Sequence, residues 1–89
     1  MSLIDWQQQG NILLLNGILD RQTVALIWGQ RIALFKQISA VNVASLSRVD
    51  SAGLALLVYC CLHFKLKLVG VSEQLNTLIK LYNLEKVIE

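Results

Sequence analysis

Between Val41 and Leu62 an extended segment gives way to an apolar helix through a short polar loop ending in Asp50-Ser51. Val41-Asn42-Val43-Ala44 reads as a strand, Ser45 to Asp50 as the loop, and the helix is predicted from Ser51 to about Phe64. Asp and Ser both accept hydrogen bonds from the first N–H groups of a helix, which have no partners within it. The same spot tolerates an added phosphate, because the helix dipole favours negative charge there. A strand-to-helix transition this tight commits the chain to an α/β arrangement. It also holds a small hydroxyl group beside a carboxylate, so Ser51 is the candidate centre of function, as a place of contact and regulation rather than catalysis.

The rest of the chain supplies partners for that unit. Ile4-Asp5-Trp6-Gln7-Gln8 reads as a first strand, Gln9-Gly10-Asn11 as a turn, and Ile12-Leu13-Leu14-Leu15 as a short apolar strand buried on both faces. The two strands suit a hairpin, and Asn16-Gly17 then breaks the pattern. Asp20 is placed to cap a helix running to about Lys36. Val24, Ile27 and Leu34 lie on one side of it, with Ala25, Trp28 and Ile32 on a neighbouring side. Leu66 to Val71 is the last strand. Ser72 caps a final helix striped by Leu75, Leu78, Ile79 and Tyr82, and Asn83 suits a left-handed helix stop with Leu84 packing back on the last turn. The order β-β-α-β-α-β-α predicts a mixed sheet of about four strands with helices mainly on one face.

What the chain lacks narrows its function. Its formal net charge of +2 is spread over scattered lysines and arginines, with no basic stripe to hold nucleic acid. The segment from Met1 to Trp6 has neither the basic start nor the apolar stretch of a signal peptide. The apolar run from Leu54 to Leu62 is about half of what crosses a bilayer. These features predict a soluble, cytoplasmic chain without a membrane span. Cys60 and Cys61 are adjacent and lack other ligands at a useful spacing, so they read as reduced apolar side chains, with no metal site. The five glycines are isolated, so no phosphate-binding loop or dinucleotide motif is present, and no cofactor is expected. Too few polar groups converge to build a catalytic site, and none of the residues is read as catalytic.

With 55% apolar and 16% charged residues, the chain carries more apolar surface than a lone domain of 89 residues needs to bury. The helix after Ser51 shows where the surplus lies. Leu54, Leu57, Val58 and Cys61 share one side and suit the sheet. The other side carries Ala52, Ala55, Leu56, Tyr59 and His63, where an ordinary surface helix has lysine and glutamate. Either this helix is sandwiched within its own domain, or the second side docks a partner. Trp28 suits a core and an interface equally, and His63 reads as a rim residue.

At Asp50-Ser51-Ala52-Gly53-Leu54 the chain resembles the STAS domain family, named for sulfate transporters and anti-sigma-factor antagonists. Gly17-Ile18-Leu19-Asp20 resembles that family's Gly-Glu-Leu-Asp approach to the first helix, with Ile18 in place of Glu. The resemblance spans residues 1–89 and implies one STAS domain. Ser47-Arg48-Val49-Asp50-Ser51, Gly53-Leu54-Ala55-Leu56-Leu57, Trp28 and Lys80-Leu81-Tyr82-Asn83-Leu84 are further similar to small cytoplasmic STAS subunits of phospholipid-transporting ABC systems in Gram-negative envelopes. This implies a non-enzymatic subunit that binds the transporter's ATPase and, through it, the membrane permease. Such a subunit lies peripheral to the inner membrane and supports outer-membrane lipid asymmetry. Trp28, Arg48, Asp50, Ser51, Ala52, Ala55, Leu56 and Tyr59 are the residues expected to bind the partner. The family also implies an alternative. In anti-sigma-factor antagonists the hydroxyl residue after the motif aspartate is phosphorylated, which makes Ser51 a candidate phosphoacceptor.

Overall fold

A computed structural model describes residues 3–88; Met1 and Ser2, on which the signal-peptide expectation partly rests, and Glu89 lie outside the described residues. The chain runs β1 (Ile4–Gln9), β2 (Ile12–Leu19), α1 (Arg21–Trp28), α2 (Arg31–Leu34), β3 (Ala40–Val49), α3 (Ser51–His63), β4 (Lys67–Val69), α4 (Glu73–Leu81) and α5 (Glu85–Ile88). The four strands form one mixed sheet in the order β1-β2-β3-β4. β1 pairs antiparallel with β2 through the expected hairpin, while β2 with β3 and β3 with β4 are parallel. This is the α/β arrangement expected of a STAS-type domain.

Burial alternates along the central strands. Leu13, Leu15, Val41 and Val43 are fully covered, whereas Ile12, Leu14 and Asn42 between them are only partly so. The helices therefore cover one face of the sheet, and the expectation that Ile12 to Leu15 is buried on both faces is corrected. Adjacent side chains on a strand point to opposite faces, so one helical layer buries every second residue.

Two segments expected to be irregular are strand. β2 continues past Asn16-Gly17 to Leu19, and β3 continues through the presumed loop to Val49. The two extend each other, pairing from Asn16 with Ser45 to Leu19 with Val49, with one irregularity in the register just before Asn16 and another between Gly17 and Ile18. Bulges of this kind let a strand carry an extra residue without losing its partner. Gly17 makes this passage possible. Its φ is +111°, and a Cβ there would run into the carbonyl oxygen of Leu3.

The first helix is also shorter than expected. It stops at Trp28 and restarts at Arg31 instead of running to Lys36. Glycine is a poor helix residue, and the break falls at Gly29, the C-cap of α1. The Arg31 guanidinium closes the end, donating from Nη1 to the Trp28 carbonyl at 2.8 Å. The cap at Asp20 is as expected, accepting from the N–H groups of Gln22 and Thr23, while the Thr23 hydroxyl accepts from the Asp20 N–H.

Helix α4 begins at the Ser72 cap, whose hydroxyl accepts from the Leu75 N–H at 3.1 Å. It stops at Asn83, where φ is +57°, and the Leu84 N–H reaches back to the Ile79 carbonyl at 2.9 Å. Leu75 and Ile79 are buried, but Tyr82 is exposed and does not complete the stripe. The strand before this helix is shorter than the sequence suggests, spanning Lys67–Val69 rather than Leu66 to Val71.

Helix α3 lies at the centre, packed against α1, α4, α5 and β3. Burial pushes the Cys60 thiol up to about 12 and raises that of Cys61 in the same direction. Protonated, buried thiols are poor nucleophiles. Both should resist a thiol-reactive disulfide reagent in the native protein and react fully once denaturant unfolds it. Fast reaction of either in the native state would contradict their placement.

Candidate functional site

The site is built where α1 and α3 begin side by side. Asp50, the N-cap of α3, accepts from the Gly53 N–H at 2.9 Å through Oδ1. Its other oxygen accepts from the Arg21 N–H at 3.1 Å, at the first residue of α1. One carboxylate thus caps its own helix and ties the neighbouring one to it. The Gly53 N–H holds this carboxyl below the usual carboxylate range; desolvation opposes it, and the Arg21 and Ala52 N–H groups and the Arg48 charge assist. With the folded pKa depressed below the unfolded value, this stabilisation is present above the unfolded pKa and is lost as pH falls through the folded one.

Ser51 follows at the first turn of α3 and is exposed. Arg21, Arg48, Asp20, Asp50 and Ser51 line a shallow cleft between the two helix starts. On its other side Ser51 borders a mostly apolar groove, lined also by Leu54, Ala55, Tyr82 and Leu84. Tyr82 and Leu84 are brought there by the turn after α4, so two distant segments of the chain meet at this serine.

One helical repeat further along α3, Ala55 is exposed, and Tyr59 beyond it is half-buried. Tyr59 meets Trp28 edge to face, with ring centroids 4.8 Å apart, and stacks on His63 at 4.9 Å. Trp28, 41% exposed, therefore stands at the surface of the α1–α3 pair rather than in the core. Arg31 lies over its ring at 4.0 Å.

The structure brings Trp28, Arg48, Asp50, Ser51, Ala52, Ala55 and Tyr59 onto this connected surface. Leu56 is not part of it. Only 4% exposed, Leu56 belongs to the hydrophobic core, and its expected place on the outer side of the helix is corrected. The cause is geometric. A central helix with neighbours on several sides buries more than one stripe, and Leu54, Leu56, Leu57, Cys60 and Cys61 all become core. Both alternatives for α3 hold in part: most of its girth is sandwiched, and a narrower strip remains open.

Sequence reasoning passed over Arg21, Arg31, Tyr82 and Leu84. The spacing of Trp28 and Arg31, one helical turn, was a usable signal for their contact. Nothing local places Tyr82 beside Ser51.

Two curated relatives resemble the chain. Proteins named intermembrane phospholipid transport system binding protein MlaB, from Escherichia coli (strain K12) and Shigella flexneri, are each 37% identical to it over 86 residues, covering 91% of this chain and 89% of the relative. No family model matches the chain.

Proposed function

The chain belongs to the MlaB family, and on that premise we propose that it is a non-enzymatic subunit of a phospholipid transport system, binding the ATPase of the ABC transporter. In this reading residues 1–89 form one STAS domain, and the chain is peripheral to the inner membrane, held there through the ATPase and its permease. Among the described residues no helix is long and apolar enough to cross a membrane. The docking surface is the strip from Arg48, Asp50 and Ser51 through Ala52 and Ala55 to Tyr59 and Trp28.

The observation that carries this reading is the composition of that strip. Exposed Ser51 and Ala55 line a mostly apolar groove where a monomeric domain would place charge, and exposed Trp28 packs on Tyr59 one turn further along the helix. Small residues allow a partner backbone to approach closely, and aromatic residues supply contact energy. The relatives' names favour a transport role over a phospho-switched antagonist of an anti-sigma factor, so Ser51 is read as a contact residue.

Replacing Ser51 with arginine should weaken binding of the purified ATPase subunit by at least about tenfold in calorimetry, since a large charge at the centre of an interface has to be desolvated. Because Ser51 is exposed, the melting temperature of the isolated domain should stay within a few degrees of wild type. Unchanged affinity would remove Ser51 from the interface.

A further inference from the structure

Trp28 stands at the outer end of a run of rings that starts in the core. Buried Phe35 meets Phe64 with centroids 5.3 Å apart, Phe64 meets Tyr59 edge to face at 5.9 Å, and Tyr59 meets Trp28 at 4.8 Å. Tyr59 is further fixed by stacking on His63. The indole thus rests on a firm support, and Arg31 supplies a second one. Its guanidinium carbon lies over the indole, 4.0 Å from the ring centroid. Trp28 is the last residue of α1, so its carbonyl has no acceptor role within that helix, and Arg31 Nη1 donates to it at 2.8 Å. One side chain therefore holds both the ring and the backbone of Trp28. The Arg31 Nε is buried and makes no hydrogen bond, so the guanidinium is packed against the protein rather than extended into solvent. Trp28 nevertheless remains 41% exposed. A large ring that is open to solvent yet fixed in place binds well, because little side-chain freedom is left to lose.

We infer that Arg31 is a positioning residue for docking: it fixes the Trp28 indole in its binding orientation before the ATPase arrives and acts through that ring rather than by touching the ATPase. The inference rests on the docking role proposed above. Arginine suits the task because its group is planar, stays charged, stacks on an aromatic face and can donate to backbone at the same time. Lysine carries the charge without the plane.

Two measurements on the full chain test it. The first is a double-mutant cycle, read as calorimetric affinity for the purified ATPase subunit of the same transport system. Arg31→Ala should bind about three- to tenfold more weakly than wild type, and Trp28→Ala at least about tenfold more weakly. In the Trp28→Ala background, removing Arg31 should change affinity by less than about twofold, since no indole is left to hold. The second measurement uses the free chain with Trp6→Phe, which leaves Trp28 as its one tryptophan. Time-resolved fluorescence anisotropy should show more nanosecond ring motion in Arg31→Ala than in its parent. If Arg31→Ala fails to fold, as judged by circular dichroism, Arg31→Lys replaces it, with changes of the same sign expected in both measurements. Equal losses on removing Arg31 with and without Trp28 would put the guanidinium on the ATPase itself and overturn the inference. So would wild-type affinity in Arg31→Ala, wild-type affinity in Trp28→Ala, or unchanged motion of the Trp28 ring; in each of these cases the docking role stands on Ser51. Failure of the wild type itself to bind would defeat the docking role and this inference together.

Discussion

Gly53→Ala should destabilise the domain by about 2–4 kcal/mol in denaturant unfolding, although the same change in an ordinary helix stabilises by about 1 kcal/mol. Gly53 lies in the first turn of α3, where that turn crosses the end of β2. A Cβ at this position would run into the carbonyl oxygen of Leu19, with the Leu19 carbonyl carbon at 3.0 Å. Backbone cannot rotate away as a side chain can, so the helix start has to lift. Lifting it strains the Asp50 cap, which is bonded to the Gly53 N–H and to Arg21 on the next helix. If Ser51 docks a partner as proposed, the loss should reach that binding as well, through displacement of Ser51. Stability equal to or above wild type would show that the approach of α3 to β2 is looser than described.

Leu56→Ala should cost about 2–4 kcal/mol and lower the melting temperature of this 89-residue domain by roughly 10–20 °C. Removing a leucine that is 4% exposed leaves a cavity among residues that relax only in part. That is a large share of the stability expected for a small domain, about 5–10 kcal/mol. The pattern of loss separates two placements. A core leucine lowers stability first and binding only as a consequence, whereas a leucine on the docking strip would lower affinity and leave the melting temperature in place. Weakened binding with an unchanged melting curve would return Leu56 to the interface.

Much of the local architecture was legible because it depends on short windows. Asp20, Asp50 and Ser72 each cap the helix they were expected to cap, because a capping side chain bonds to N–H groups two or three residues on. Asn83 stops α4 in the left-handed conformation for a similarly local reason. The hairpin of β1 and β2 follows from its turn residues, and helices on one face of a mixed sheet follow from the order of the elements. Irregular segments were harder to read. Asn16-Gly17 and Ser45 to Arg48 look like breaks taken singly, yet they are strand because each pairs with the other across some thirty residues of chain.

The candidate site divides along the same line. Ser51 at a helix start beside Asp50, and the family to which that motif pointed, were determined by the sequence itself, since a motif and its cap are contiguous. The placing of Trp28 against Tyr59, of Tyr82 beside Ser51 and of Leu56 in the core was decided only by the tertiary structure. Periodicity shows that a helix has apolar sides but not how many neighbours cover them. For α3 that number was set by α1, α4, α5 and the sheet converging on one helix, each arriving from a different part of the chain.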